Sequence, residues 1–138
     1  MAKRGRPRKY FNQKCGSIYT SPNRPEIQKI PYPEFEQWYE HQTKACEYCG
    51  LTEGDSERLY HAYPEATRGG KRGRHLELDR RNPYLSYGES IENFVLACYW
   101  CNNAKTNYFT AEEFQEIGHV IGLVNQKRLS ALPQEKEQ

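Results

Sequence analysis

Residues recur at helical spacing in two parts of the chain, and most of them are apolar. The first part follows a Pro-Tyr-Pro break and comprises Phe35, Trp38, Tyr39 and Gln42. This spacing predicts a helix over about 33–44 that packs an aromatic face inward. The second part follows a capping box at Thr110 and Glu113 and comprises Phe114, Ile117, Ile121 and Val124. It predicts a C-terminal helix with one apolar stripe in the core, weakened by Gly118 and Gly122.

Between these helices, alternating polar and apolar residues predict two short strands. Over residues 75–79, two leucines face one way and the polar residues face the other. Asn82-Pro83 ends this strand, and Phe94-Val95-Leu96 predicts the second one. A further short helix is predicted over residues 101–105.

Three stretches have no sustained pattern. Residues 1 to about 30 contain three of the eight prolines and are predicted to form an extended arm, and residues 50–74 are predicted to form a loop. The tail after Pro133 is also irregular. We therefore expect one domain over about 31–130, with the arm at 1–30 and a C-terminal tail at 131–138.

Composition favours a small domain whose fold depends on a metal ion. Leu, Ile, Val and Phe make up 23 of the 138 residues, a low share at which disorder has to be considered. The net charge is only +2, however, and 11 Tyr and 2 Trp add large packing groups. No run approaches the roughly 20 apolar residues of a membrane helix, and no signal-peptide pattern opens the chain. We therefore expect a soluble cytoplasmic protein with no membrane partner.

Four of the five cysteines form two CxxC pairs, Cys46-Glu-Tyr-Cys49 and Cys98-Tyr-Trp-Cys101. Each pair can hold one side of a tetrahedral ion, and in an intracellular protein such pairs are metal ligands more often than disulfides. We therefore predict a structural Zn²⁺ site at Cys46, Cys49, Cys98 and Cys101. Cys15 lies outside this pattern and is expected to be a free thiol without an assigned role.

The predicted order of a cysteine knuckle, two strands, a second knuckle and a helix is that of a treble-clef zinc fold. Residues 43–107 resemble the HNH nuclease family in its ββα-metal portion. The motifs that carry this resemblance are Leu-Glu-Leu-Asp79-Arg80, Asn93-Phe-Val-Leu96 and Cys101-Asn102-Asn-Ala-Lys105. The resemblance implies an α+β fold, namely a small treble-clef/ββα-metal (HNH-like) zinc domain with flanking helices and an extended N-terminal arm.

The resemblance also implies roles for individual residues. Asp79 and Asn102 are expected to bind one catalytic Mg²⁺ or Mn²⁺, because oxygen ligands suit these ions. Asn93 is expected to brace the loop after the first strand, and Lys105 to contact a phosphate as a point charge. Arg80 stands where the family has its general-base histidine. An arginine, with a pKa above about 12, cannot take up a proton, so we expect slow or atypical activity in which Arg80 stabilises charge.

Basic residues are concentrated near the N-terminus, since residues 1–30 carry eight Lys or Arg and one Glu. An Arg-Gly-Arg-Pro core in this arm resembles an AT-hook, a peptide that lies in the minor groove of A·T-rich double-stranded DNA. The residues expected to contact DNA are Arg4, Gly5, Arg6, Pro7, Arg8 and Lys9. A solvated tail or a nuclear-localisation-like run is the alternative. The basic stretch 68–74 is either a flexible loop or a phosphate contact.

The leading hypothesis from these observations is an HNH-type DNA endonuclease or nickase of bacterial or phage origin. The alternative is a non-catalytic, zinc-stabilised DNA-binding protein on a degenerate HNH scaffold. A third possibility is an adaptor for a protein partner, which would have no salt-sensitive affinity for DNA. Glu77 shares a strand face with Asp79 and is expected either beside the metal ligands or in solvent.

Overall fold

The computed structural model describes residues 13–67 and 72–133. Over these ranges the chain forms α-helices, two short 3₁₀ helices and a two-stranded antiparallel sheet. The elements, in chain order, are α1 Gln13–Tyr19, a first 3₁₀ helix Pro25–Lys29, α2 Tyr32–Glu40, α3 Glu53–Ala62, β1 Glu77–Arg80, a second 3₁₀ helix Ile91–Asn93, β2 Phe94–Ala97, α4 Tyr99–Lys105 and α5 Ala111–Ala131. This architecture confirms the α+β class. None of the described helices is long and apolar enough to cross a membrane.

The sheet pairs β1 with β2, so that Leu78 lies opposite Leu96 and Asp79 opposite Val95. All four residues of β2 are buried. On β1, Leu78 is fully buried, and the next residue, Asp79, is only 6% exposed although its side chain projects from the other face. The two predicted strands therefore place a carboxylate inside the domain, where it requires polar partners.

Helix α2 packs its predicted aromatic face against β2. The ring centroid of Phe94 lies 5.9 Å from that of Phe35 and 5.7 Å from that of Trp38, both in edge-to-face contact. The helix ends earlier than expected, and Lys44 Nζ donates a 2.7 Å hydrogen bond to the Tyr39 carbonyl near its end. A cation at this position stabilises the negative end of the helix dipole.

The described residues 13–30 are not extended, which corrects the expectation of an arm without structure up to residue 30. Helix α1 and the first 3₁₀ helix bury Cys15 and Ile27 completely. The Tyr19 hydroxyl donates a 2.5 Å hydrogen bond to the Ile30 carbonyl, which ties the two segments together. Helices this short are held by tertiary contacts rather than by intrinsic propensity. With seven and five residues, the two segments are also too short to show a periodic pattern in the sequence.

Two predicted features lie wholly or partly outside the described residues. The AT-hook-like segment Arg4–Lys9 falls within residues 1–12, and residues 68–71 belong to the basic stretch before β1. The limits proposed for the arm, the domain and the tail remain predictions.

Helix α3 lies within the stretch that was expected to be a loop, and that expectation was wrong. Its N-cap is Thr52, whose hydroxyl accepts a 3.1 Å hydrogen bond from Asp55 N. Ser56 and Leu59 are its buried residues, so the segment has no apolar stripe that would indicate a helix. Ser56 Oγ donates to the Gly73 carbonyl at 2.6 Å and ties α3 to the segment before β1.

Helix α5 begins with the predicted capping box. Glu113 N donates to Thr110 Oγ1 at 3.2 Å, and Thr110 N donates to Glu113 Oε1 at 3.0 Å. The predicted inward stripe is correct for Phe114, which is fully buried, but wrong for Ile117 and Val124, which are 38% and 46% exposed. The helix is therefore rotated relative to the orientation that its apolar residues alone indicate.

The face that α5 turns inward carries its two glycines. A Cβ added to Gly118 would lie 2.7 Å from the Tyr48 carbonyl oxygen, and one added to Gly122 would lie 2.9 Å from the Cys49 carbonyl oxygen. Both distances are too short for a real Cβ. The glycines, which were expected only to weaken the helix, let its backbone lie directly against the first cysteine pair.

Candidate metal centre and nuclease site

Four thiols meet where the two cysteine pairs approach each other. The Sγ atoms of Cys46, Cys49, Cys98 and Cys101 all lie within 4.8 Å of one another, and those of Cys49 and Cys98 are 3.6 Å apart. Sulfur ligands about 2.3 Å from a tetrahedral zinc ion are about 3.8 Å from each other. The cluster therefore has the spacing of a site for one metal ion such as zinc.

Local backbone geometry shapes this cluster. Gly50 has a φ of +78° and donates a 2.9 Å hydrogen bond to the Cys46 carbonyl, which closes the first knuckle. Cys98 caps α4, and its Sγ accepts from Cys101 N at 3.4 Å. Hydrogen bonds from the neighbouring thiols lower the pKa of Cys46, and such bonds raise the pKa of Cys101. The four sulfurs can all ionise only when a cation joins them.

The carboxylate of Asp79 is held by two donors on one oxygen. The Tyr48 hydroxyl donates to Oδ2 at 2.7 Å, and Lys105 Nζ lies 3.2 Å from the same atom. Burial and the Asp79 charge raise the pKa of Tyr48, so its hydroxyl stays protonated as a donor. Oδ1 has no hydrogen-bond partner among residues 13–67 and 72–133. Of the two Asp79 oxygens, Oδ2 is thus the one that the described residues anchor.

Lys105 is completely buried, although we expected it to contact a phosphate. Besides its contact with Asp79, its Nζ donates a 2.7 Å hydrogen bond to the Arg80 carbonyl. A buried ammonium requires a counter-charge and hydrogen-bond acceptors, and these two groups supply both. In this structure Lys105 positions the acidic residue and the end of β1.

The side-chain amide of Asn102 has a defined orientation. Its Nδ2 donates to Glu77 Oε1 at 2.9 Å, and because a carboxylate only accepts, the amide oxygen must face away from Glu77. Arg72 holds Glu77 in place with two hydrogen bonds, Nη2 to Oε1 at 2.7 Å and Nε to Oε2 at 3.0 Å. These bonds raise the pKa of Arg72. Glu77 therefore orients Asn102 rather than facing solvent alone.

The two contacts form rungs between one face of α4 and one face of β1. Asn102 and Lys105 are three residues apart on the helix, and they bond to Glu77 and Asp79, two residues apart on the strand. These spacings place side chains on a common face of a helix and of a strand. Asp79 and Asn102 therefore lie on the facing sides of β1 and α4, and we call the space between these two faces the β1–α4 groove.

Arg80 projects from the opposite face of β1 and is anchored in the following loop. Its Nη1 donates to the Leu85 carbonyl at 3.1 Å, its Nη2 donates to Asn107 Oδ1 at 3.0 Å, and its Cζ lies 4.9 Å from the centre of the Tyr87 ring. These contacts leave other guanidinium N–H groups unused. The side chain offers a fixed positive charge and no proton acceptor.

Asn93 bridges the loop that follows β1. Its Oδ1 accepts from Asn82 N at 2.9 Å, and its Nδ2 donates to the Asn82 carbonyl at 3.1 Å. One amide side chain thereby satisfies both backbone groups of a residue eleven positions earlier. This pairing holds the loop closed next to the end of β1.

The histidines lie away from the contacts of the β1–α4 groove. His75 Nδ1 is 3.8 Å from Glu53 Oε2. The other three histidines are exposed on helices or at their ends: His41, His61 and His119. Among the described residues, none of these imidazoles bonds to Asp79 or Asn102.

Sequence reasoning did not assign Tyr48 and Arg72 to the site. Tyr48 lies between the two cysteines of the first pair, so its position next to the metal cluster was visible in the sequence. Its contact with Asp79, 31 residues further along the chain, was not. Arg72 belongs to a basic stretch with no pattern, and nothing local indicates its bond to Glu77.

A solved structure of the rare-cutting HNH restriction endonuclease PacI, which was described for an extraordinary mechanism of DNA perturbation, is similar to this chain. The similarity has a TM-score of 0.62 with 25% sequence identity, and it covers 84% of this chain and 77% of the other. No family model matches the sequence, and no curated protein matches it. Together with the cysteine cluster, this similarity establishes an HNH-like zinc fold.

Proposed function

We propose that the protein is a metal-dependent DNA endonuclease or nickase of the HNH type, with a structural Zn²⁺ at the four cysteines. The observation that carries this proposal is the β1–α4 groove, in which Asp79 Oδ1 and Asn102 Oδ1 have no hydrogen-bond partner among the described residues. The similarity to a restriction endonuclease supports the same reaction class. Double-stranded DNA is accordingly the proposed substrate.

The donor set of the groove suits a hard divalent cation. Asp79 Oδ1 and Asn102 Oδ1 are oxygen ligands, and Mg²⁺ or Mn²⁺ binds such ligands while accepting water and phosphate at its remaining positions. When bound, such a cation supplies Lewis-acid stabilisation of the charge that develops on the phosphodiester. The protein supplies the fixed orientation of both ligands, through Tyr48 and Lys105 on one side and Glu77 on the other.

The remaining residues hold and complement the substrate in this proposal. Asn93 keeps the loop after β1 closed. Arg80 lies on the face of β1 opposite Asp79, so its unused N–H groups are proposed to contact a flanking phosphate rather than the one bound in the groove. Without a histidine to take a proton from water, the rate is expected to be about 10²–10⁴-fold below that of an enzyme with a general base.

The alternative of a non-catalytic DNA-binding protein is favoured by one specific feature, the arginine at position 80. Both alternatives include the AT-hook-like segment Arg4–Lys9 as a minor-groove contact for A·T-rich DNA, and both place the protein in the cytoplasm of a prokaryotic or phage-infected cell. They differ only in whether a bound phosphodiester is hydrolysed.

Incubation of the purified protein with supercoiled plasmid and Mn²⁺ or Mg²⁺ distinguishes the nuclease from the non-catalytic DNA-binding protein. We expect slow nicking by the wild type and none by Asp79→Ala or Asn102→Ala. Asn103→Ala is the matched control, because Asn103 is the exposed neighbour on α4, and it should nick normally. Zinc content and circular dichroism of each variant verify the fold.

Two outcomes contradict the enzyme. If the Asp79→Ala and Asn102→Ala variants still nick the plasmid, the activity comes from a contaminant or from another site. DNA binding without nicking by the wild type, in either metal, would support the binding protein instead.

A further inference from the structure

A polar pocket of about 410 Å³ opens beside the β1–α4 groove. It lies between α1, the segment before the first 3₁₀ helix, and the start of β1. The polar residues that line it are Ser17, Ser21, Asn23, Arg24, Arg72 and Glu77. Glu77 thus faces this pocket and also bonds to Asn102 in the groove, so the two sites are adjacent.

Arg24 contributes a guanidinium to the wall of this pocket. Its Nε is buried and has no hydrogen-bond partner, and over residues 13–67 and 72–133 the side chain forms no ion pair. Its Cζ lies 5.9 Å from the centre of the Tyr87 ring. The Nε is too buried to meet a ligand itself, but a guanidinium at the wall of a pocket, with no counter-charge in the described part of the chain, can bind an anion that enters the pocket.

The charges of the lining residues define the class of that ligand. Arg72 and Glu77 neutralise each other in a two-point ion pair, which leaves the positive charge of Arg24. Two serine hydroxyls and the Asn23 amide can donate to the same ligand. One guanidinium with several neutral donors matches a singly charged oxyanion such as a phosphodiester.

We propose that this pocket binds a DNA backbone phosphate next to the one in the β1–α4 groove, with Arg24 as its principal contact. The inference rests on the proposed function for the identity of the ligand. A phosphate here touches the Arg72–Glu77 pair, which orients Asn102. The pocket therefore aligns the strand with the groove and contributes affinity that does not depend on base sequence.

The test is binding of a fluorescently labelled duplex, measured without a divalent cation in the assay so that no cleavage occurs. Arg24→Gln is expected to weaken binding about tenfold and to reduce the slope of log K against log salt by about 0.9, the loss of one phosphate contact. Arg24→Lys keeps the charge and should retain the slope. Arg128→Gln is the control, because Arg128 has a comparable ring contact, 4.8 Å from Tyr63, on α5.

Unchanged affinity and slope in Arg24→Gln, or an equal loss in Arg128→Gln, would overturn the proposal, as would a wild type that binds no DNA. The change in melting temperature on addition of inorganic phosphate tests whether the pocket binds free phosphate instead of a DNA backbone phosphate. Stabilisation that depends on Arg24, with DNA affinity unchanged, would assign the pocket to free phosphate and contradict the DNA contact. Arg24-dependent DNA binding by a protein that never nicks would sustain the pocket while refuting the proposed enzyme.

Discussion

Replacing Gly118 by alanine tests how closely α5 must approach the first cysteine pair. The new Cβ would lie 2.6 Å from Tyr48 Cβ, 2.7 Å from its carbonyl oxygen and 2.9 Å from its carbonyl carbon. Two of these atoms belong to the backbone of the knuckle, so the clash cannot be relieved by rotating a side chain. The helix or the knuckle has to move.

The expected magnitude follows from two opposing terms. In an exposed helix, Gly→Ala gains about 1 kcal/mol from helix propensity, whereas overpacking a rigid site costs about 1–3 kcal/mol. With two backbone atoms inside contact distance, we place Gly118→Ala near the upper end of that cost. The net change is a loss of about 1–2 kcal/mol in the free energy of unfolding. Gly122→Ala, with one atom at 2.9 Å, should lose less.

Urea-induced unfolding of zinc-loaded protein measures these changes. Gly54→Ala is the matched control, because nothing lies within 4 Å of its Cβ and its φ is not positive, and it should be neutral or stabilised by up to about 1 kcal/mol. Gly118→Ala should also reduce nicking, since Tyr48 holds Asp79. If Gly118→Ala proves as stable as Gly54→Ala, the close packing of α5 on the knuckle is refuted.

Three further changes probe the metal cluster and the polar contacts. Cys101→Ser, or chelation of the metal from the wild type, should abolish the cooperative unfolding transition followed by circular dichroism. The reason is that zinc binding contributes about 10–16 kcal/mol, more than the stability of a typical small domain. A native spectrum of the metal-free protein would contradict this. Tyr48→Phe keeps the ring contact with Phe114 but removes the hydrogen bond to Asp79. The free energy of unfolding, measured with a denaturant, should fall by about 1.5–3 kcal/mol. An unchanged midpoint would argue against that bond. Asn93→Ala removes both bonds to Asn82 and should raise hydrogen exchange in the loop after β1 with the zinc content unchanged; protection equal to that of the wild type would show that Asn93 does not hold the loop.

Some elements could be predicted because their signals are local. The CxxC spacing brings two sulfurs together within four residues, and the capping box at Thr110 marks the start of α5 without reference to any other part of the chain. The alternation over residues 75–79 likewise located β1. Each of these patterns spans only four or five consecutive residues, so long-range packing does not alter it.

Other elements were missed because packing creates them. Helix α3 buries only Ser56 and Leu59 and has no apolar stripe. Helix α1 is seven residues long, too short for its Cys15, Ile18 and Tyr19 to form a repeating pattern. In α5 the apolar pattern indicated an inward face with Ile117 and Val124, yet Gly118 determines the contact with Tyr48. A glycine has no hydrophobic signal, so its role in close approach is invisible until the partner is known.

The sequence by itself determined the metal-ligand cysteines, the two strands between them and the order of Asp79, Asn93 and Asn102, since these depend on spacing along one short segment. Only the tertiary structure decided which oxygens stay available. Lys105 became a buried partner of Asp79, and Glu77 came to orient Asn102, because α4 lies along β1. Hydrogen-bond partners are set by the distance between elements, which the order of residues in a chain does not contain.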